Sequence, residues 1–548
     1  MIKIEQDLAT IIKNAVKKTF PEIPDNVIAE SLSLEVPKEK KFGDFSANIA
    51  MKLSRELRKP PFEIAGSIIK NIEKSYSIQD VKVEKPGFIN FYISNKAVAG
   101  ALEDIIKEGA GFGVSTAGKN KKVQIEFVSA NPTGPLTVAH GRQAAIGDSL
   151  ARILKFCGYD VIKEYYVNDE GVQIQALGKS LRARYMELMG EKSDFPENGY
   201  KGKYIYDMAQ KLKDSGVVER SSAPLSDDFF MEHATREIMK TIVKDLEDFG
   251  VHFDVWYSQK ALAKSGKVEK AIDDLKKKEF LYEQDGATWF KSTGLGDDKD
   301  RVIIKSDGSY TYLTPDTAYH KEKFEKGYHR IINIWGPDHH GYINRIKAAC
   351  QALGYDTEKL SILIAQLVTL YRDGKPVKMS TREGEFITLR EVMDEVGRDA
   401  ARFFFIMRRV ESHLDFDLAL AKTQTLDNPV YYIQYAHARI SSIIEFSKDA
   451  LPNLKNLVLL DKEQELDIVK AMMYYPKIIE AAASNLEPSI LLTYLQDLAG
   501  LFHSYYNAYR IVTDDKPLTE TRITLIQAVK KVIASGLGLL GVTALEKM

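Results

Sequence analysis

Ile125 to Arg142 reads IEFVSANPTGPLTVAHGR. Val123, Ile125 and Phe127 alternate with Gln124 and Glu126, the period of a strand. Asn131-Pro132-Thr133-Gly134-Pro135 stops it, because two prolines and a glycine cannot continue a ladder. From His140 onward Ala144, Ala145, Leu150, Ile153, Leu154 and Cys157 fall at helical spacing. Tyr159 to Val167 then reads as a second strand. Strand, helix and strand make a βαβ unit. Its helix opens above the carboxyl end of the first strand, where unpaired N–H groups favour phosphate. His140 beside such a site suits a nucleotide reaction. An ordinary proline-bounded loop would show the same letters, and spacing alone leaves both open.

The chain around this unit is long. Its 548 residues exceed what one domain holds, and 44% hydrophobic with 28% charged content is that of a globular protein. No apolar run reaches the roughly eighteen residues of a membrane span. MIKIEQDLATIIKNAVKKTF carries acids and lysines within its apolar pattern, as an amphipathic helix does and a signal peptide does not. Two cysteines, Cys157 and Cys350, sit in apolar helical patterns. They read as buried thiols suited to a reducing cytoplasm, and are too few for a cysteine-based zinc site. A net charge of −1 announces no polyanionic partner, so RNA binding would need local patches.

Residues 1 to about 110 form a small α/β module. Two helical stretches flank KKFGDFSANIAMKLSREL, and Val81–Glu84 and Phe88–Ile93 pair across a Pro86-Gly87 turn. With Ile89, Phe91 and Ile93 in the core, Phe88, Asn90 and Tyr92 share the other face, which could stack an unpaired base or pack on a helix. A glycine- and lysine-rich linker runs from Gly111 to Lys122. After the βαβ unit, residues 176–250 are helical and highly charged, an insertion between two halves of a sheet.

The strand–helix pattern resumes near Phe253 and runs to about Lys378. Ala287–Phe290 and Val302–Ile304 read as a hairpin. Tyr310 to Asp316 reads as a strand entering a helix, and Ile331–Trp335 as a short buried strand before Gly336-Pro337-Asp338-His339-His340-Gly341. Ile362 to Leu370 reads as one apolar strand, leading to the loop Asp373–Arg382. Each polar cluster follows an apolar strand, where open α/β sheets place ligands. Beyond about 390 the pattern is almost wholly helical, with tyrosines at Tyr431, Tyr432, Tyr435, Tyr505, Tyr506 and Tyr509 that could stack on RNA or rim a bundle.

Glu126 and Asp316, with the amide of Asn131 and the phenol of Tyr312, would suit a cationic substrate. A guanidinium matches carboxylates through its fork of donors. Asp316 would equally serve as a helix N-cap. Asp338-His339-His340 resembles a phosphoesterase triplet, but the further aspartates that such metal chemistry needs are not found. Lys375, Lys378 and Arg382 could clamp a polyphosphate, or simply form a solvated loop.

Taken together, IEFVSANPTGPLTVAHGR, EYYVNDEG, SYTYLTPDTAYH, IWGPDHHGY, GKPVKMSTREGEFITL, HLDFDLALA, DNPVYYIQYAHARI and LLGVTALEKM resemble, in order and spacing, the bacterial-type class I arginyl-tRNA synthetases. The resemblance implies an α/β multidomain fold. A Rossmann-type parallel-sheet catalytic domain at 121–380 would follow an additional domain at 1–110 that touches the tRNA D-loop. A junction at 381–425 and an all-helical anticodon-binding domain at 426–548 would complete the chain.

The resemblance also places site residues. Thr137 to His140 stand at the HIGH-like signature and Lys378 to Thr381 at the KMSK-like loop, with His140, Lys378 and Thr137 in catalytic positions. Pro132, Gly134, Thr137, Ala139, His140, Gly141, Asp338, His339, Lys378, Met379 and Ser380 would hold ATP. Glu126, Ser129, Asn131, His140, Tyr312 and Asp316 would hold arginine. Phe88, Asn90, Asn428, Tyr435, Ala436 and Arg439 would contact tRNA. The implied enzyme is an arginine–tRNA ligase acting on L-arginine, ATP and tRNA(Arg), as a cytoplasmic monomer. Magnesium would accompany ATP, with no protein metal site.

The sequence departs from the family pattern at three places. Thr137 stands for the usual first histidine and loses an imidazole donor. Ala139 stands for glycine and adds a methyl where adenine packs on backbone. Thr381 replaces a lysine, leaving Lys375 or Arg382 to supply charge. Thr137 and Ala139 frame the alternative reading, a tRNA-binding or regulatory paralogue with weakened catalysis.

Overall fold

The computed structural model describes residues 3–37, 39–216, 226–377, 387–447 and 451–548. The helix Lys3–Thr19 buries Ile4, Leu8, Ile12, Ala15 and Val16, the one-sided stripe expected of an amphipathic helix. It belongs to a module built on an antiparallel sheet of β1 (Leu34–Glu35), β2 (Phe45–Ala47), β3 (Ile78–Glu84) and β4 (Phe88–Ile93), in the order β1-β2-β4-β3. Ile89, Phe91 and Ile93 enter its core, while Phe88 and Tyr92 stay half-buried. Asn90 corrects the expectation of an open RNA-facing amide. It is buried between Ser46 and Lys82 on the flanking strands, and its Oδ1 accepts from the Ser46 hydroxyl at 2.7 Å.

The main sheet contains β5 (Lys122–Glu126), β6 (Asp160–Val167) and β7 (Val255–Ser258). The helices Val172–Leu188, Lys203–Asp214 and Asp227–Asp248 form the expected insertion between β6 and β7. A small antiparallel sheet of β8 (Leu281–Gln284), β9 (Ala287–Phe290) and β10 (Arg301–Ile304) follows. The expected hairpin is β9–β10. The strand β8 joins it through Asp285-Gly286, both at positive φ, a tight hairpin turn. The main sheet then resumes with β11 (Arg330–Trp335) and β12 (Leu360–Ile364).

All five main strands are parallel, in the order β12-β11-β5-β6-β7. The chain builds outward from β5 in one direction, then returns to its other side. A crevice therefore opens between the carboxyl ends of β5 and β11. Helices cover both faces, so the alternation in β5 does not divide core from solvent. Val123 and Ile125 are buried on one face, and Gln124 and Glu126 on the other. The signature helix, Val138–Phe156, lies so close over this strand that a Cβ at Gly147 would come 2.3 Å from the Phe127 ring.

Two expected elements differ. Within Tyr310–Asp316 only Tyr310 bridges, to Ile304, and the helix Leu313–Glu325 has already begun at Leu313. Asp316 is thus inside the first turns and is not the N-cap. The run Ile362–Leu370 is two strands in two sheets. The strand β12 ends at Ile364, and β13 (Val368–Arg372) pairs with β14 (Lys375–Pro376) and β15 (Leu414–Asp417). The fully buried Arg142 enforces the crossover, its guanidinium donating to the carbonyls of Gln366 at 2.7 Å and Arg409 at 2.9 Å. The strand β15 also interrupts the helical pattern expected beyond 390.

The remainder is a helical bundle, including Pro429–Phe446, Ser489–Ala508 and Lys516–Leu539. Asp148 of the signature helix joins it to the main sheet. This buried carboxylate accepts from Arg152 at 2.7 Å, Arg402 at 2.8 Å and Lys163 at 3.0 Å. Arg402 also reaches the carbonyls of Phe249 and Leu540, each at 3.1 Å.

Candidate active site

The crevice is a cleft of about 580 Å³ that contains Glu126, Ser129, Asn131, His140, Tyr312, Asp316, Asp338 and His339. The fold brings these together from the turn after β5, the signature helix, the helix at Leu313 and the turn after β11. Pro132, Gly134, Thr137, Ala139 and Gly141 do not line it. Gly141 instead packs inward, where a Cβ would lie 2.7 Å from Leu389 and 3.0 Å from Phe405. Gly134 faces Tyr204, whose hydroxyl donates to the Thr133 carbonyl at 2.7 Å. Lys378, Met379 and Ser380, with Thr381 and Arg382, lie outside the described residues.

The turn after β5 carries backbone strain. Val128 and Ser129 have φ of 69° and 38°, a left-handed region that a β-branched residue rarely enters and that costs about 1–3 kcal/mol per residue. Surrounding bonds hold it. Ser129 Oγ donates to Glu126 Oε1 at 3.0 Å and accepts from the Tyr166 N–H at 3.1 Å, and Tyr165 donates to the Ala130 carbonyl at 2.9 Å. Asn131 is exposed at the rim and donates to Gln173 at 2.8 Å.

Thr137 is the N-cap of the signature helix, and its N–H donates to Nδ1 of His140 at 3.1 Å. Nδ1 is therefore an acceptor, and the ring's proton sits on Nε2. Burial lowers the pKa of His140 to about 4, against the opposing charge of Asp338. At neutral pH the ring is an uncharged donor. Thr137 has a physical account here as a capping residue that fixes the tautomer of His140.

The carboxylates are held differently. Burial pushes Asp316 up to about 7. The Tyr342 hydroxyl, donating at 2.8 Å, and Lys323 oppose the shift, while Glu126 adds to it. Burial pushes Glu126 upward too, but the charge and hydrogen bond of Lys323, at 2.5 Å, overcome it and hold the carboxyl below its ordinary value.

Lys323 also donates to Asn333 Oδ1 at 2.9 Å, and Asn333 donates to His320 Nε2 at 2.9 Å. His320 in turn donates from Nδ1 to the Asp316 carbonyl at 2.8 Å. Burial and Lys323 lower its pKa to about 4, keeping it neutral. This buried network, with Glu164, Tyr319 and Tyr342, was missed by reading the sequence. Its signal was helical register: Tyr319 and Lys323 stand four apart, on the side of their helix that faces the sheet.

A second cleft, of about 640 Å³, lies in the helical bundle. The Arg439 guanidinium lies 4.8 Å from the Tyr435 ring and 4.4 Å from that of Tyr506, and Phe446 is 82% exposed at its edge. Two residues expected at this surface are elsewhere. Asn428 is a buried N-cap whose amide donates to the Ala421 and Thr423 carbonyls and accepts from Val430. Ala436 is fully buried, because it lies on the core side of its helix.

Sequence profiles match three consecutive parts of the chain. They describe the arginyl-tRNA synthetase N-terminal domain at 6–93, the class I (R) tRNA synthetase catalytic domain at 102–412 and the DALR anticodon-binding domain at 433–548. The arginine–tRNA ligase of Syntrophotalea carbinolica is 45% identical over 555 residues, spanning 100% of both chains. The chain belongs to the arginyl-tRNA synthetase family. The arginine–tRNA ligase of Citrifermentans bemidjiense is 47% identical over 94% of this chain and 95% of that one. The Thermus thermophilus arginyl-tRNA synthetase structure shares the fold, with a TM-score of 0.77 at 21% identity over 99% of this chain and 100% of that one. An aminoacyl-tRNA synthetase is an ATP-using ligase, and these relatives lend no support to the regulatory alternative. Among the described residues no helix is long and apolar enough to cross a membrane.

Proposed function

We propose that the cleft forms arginyl-adenylate and charges tRNA(Arg). The observation that carries this is the convergence of Glu126, at the end of β5, and Asp316, on the helix Leu313–Glu325, on one cleft with neutral His140 at its wall. The guanidinium of arginine pairs with Asp316, within reach of Tyr312 and Glu126, and Asn131 and Ser129 orient the rest. ATP, entering as its magnesium complex, lies toward His140, Asp338 and His339. His140 Nε2–H supplies a hydrogen bond without adding charge. The family resemblance assigns Lys378, Met379 and Ser380 to the triphosphate.

The arginine carboxylate attacks the α-phosphorus, and pyrophosphate leaves. The terminal 2′-hydroxyl of tRNA then attacks the arginyl carbonyl, and AMP leaves. No covalent enzyme intermediate is needed, so catalysis is placement and charge stabilisation. The protein acts as a monomer in the cytoplasm, a compartment that its two unpaired buried thiols suit. The module at 1–110 receives the D-loop through Phe88, and the bundle from 426 receives the anticodon through Tyr435 and Arg439.

Charging tests the reading. Labelled arginine is expected to become acid-precipitable with ATP and tRNA, and labelled lysine is not. Equal incorporation of lysine would sink it. Replacing Arg439 with alanine removes a cation sandwiched by two rings, and is expected to raise the KM for tRNA about tenfold. An unchanged KM places the anticodon elsewhere.

A further inference from the structure

Beneath the cleft a second carboxylate stands beside Glu126. Glu164 on β6 is its register partner across the parallel strands and is fully buried. Tyr319 reaches both acids, its hydroxyl 2.5 Å from Glu164 Oε1 and 3.3 Å from Glu126 Oε2. A phenol has one proton to donate. The shorter contact takes it, so Glu126 receives none from Tyr319. Burial and the two acids hold the Tyr319 pKa well above its ordinary value, so the proton stays on the phenol at neutral pH.

Glu126 already accepts from Ser129 and Lys323, and a carboxylate offers about four acceptor positions. One acceptor position is therefore left on each of Oε1 and Oε2, and Glu126 lines the cleft. Among the described residues Glu164 Oε2 has no hydrogen-bond partner.

We propose that Glu164 is a positioning residue for arginine: by accepting the Tyr319 hydrogen bond it keeps the second acceptor position of Glu126 Oε2 open for the cationic substrate. The proposal rests on reading Glu126 as an arginine contact. With glutamine at 164, a poorer acceptor, the phenol turns to Glu126 and fills the second position of Oε2.

The test compares Glu164→Gln, the double variant Glu164→Gln/Tyr319→Phe and Glu126→Gln, by arginine and ATP KM in the charging reaction. Glu164→Gln is expected to raise the arginine KM about tenfold, with a much smaller change for ATP. The double variant is expected to have a lower arginine KM than Glu164→Gln alone, because phenylalanine removes the competing donor. A brace, or a mere loss of negative charge, predicts no such recovery. If recovery is absent while Glu126→Gln still raises the arginine KM, the proposal is overturned and the arginine pocket stands. If Glu126→Gln leaves that KM unmoved, both fall. Glu164→Asp, tested with and without Tyr319→Phe, covers failure of the amide variant to fold. It draws the phenol across a longer gap, so a smaller rise and the same recovery are expected.

Discussion

Replacing Asp316 with alanine is expected to raise the KM for arginine roughly 100- to 1,000-fold, a loss of about 3–4 kcal/mol. The guanidinium would be desolvated in the cleft with its bidentate partner gone and the buried Tyr342 hydroxyl left without its acceptor. Asparagine is expected to recover little, since it restores shape and an acceptor without charge. The raised pKa of Asp316, about 7, adds a pH signature. Below that value the free carboxyl is protonated, and arginine must displace the proton to bind. The apparent affinity should therefore rise with pH up to about 7 and level off above it. Steady-state arginine KM between pH 6 and 8 checks both statements. A wild-type profile with no inflection, or an alanine variant that retains its affinity, removes Asp316 from the guanidinium contact.

The second large effect falls on stability. Asp148→Ala is expected to cost about 3–5 kcal/mol, because three cations, one of them the fully buried Arg402, lose their common acceptor. Arg402 reaches the end of the inserted helices at Phe249 and the bundle at Leu540, so loosening it loosens the joint between catalytic sheet and anticodon bundle. Burial works against the charged form of Asp148, but Arg402, Lys163 and Arg152 hold its pKa down at about 2. Its stabilising contribution is thus complete above the ordinary carboxyl range near 4 and is lost as pH falls toward 2. Thermal unfolding of the wild type and Asp148→Ala at neutral pH, compared with the same pair near pH 3, reads both effects. The gap between them should narrow in acid. A variant as stable as the wild type at pH 7 would show that the cluster contributes nothing net.

Much of the site was legible because its chemistry sits at strand ends. The change from period two to helical spacing between Phe127 and His140, with prolines between, gave the βαβ unit and the position of the crevice. Glu126, His140 and Asp316 all reach it. Other features left no local mark. Gln366 interrupts a continuous apolar run without glycine or proline, and what breaks the strand is Arg142, more than two hundred residues away in sequence. Lys323 lies in a run of charges that reads as a solvated face, and only packing on the sheet makes it a buried partner of Glu126. Asn428 and Ala436 have residue types compatible with an RNA surface, but helix register turned one into a cap and the other into core. The strain at Val128 and Ser129 is invisible in sequence, since neither residue type suggests a left-handed backbone.

Exchange of labelled pyrophosphate into ATP probes adenylate formation at the cleft most directly. The account predicts exchange that requires L-arginine, rises when tRNA(Arg) is added and falls sharply at sub-saturating arginine in Asp316→Ala. Exchange that proceeds equally without arginine, or no exchange with arginine, ATP, magnesium and bound tRNA all present, would contradict it.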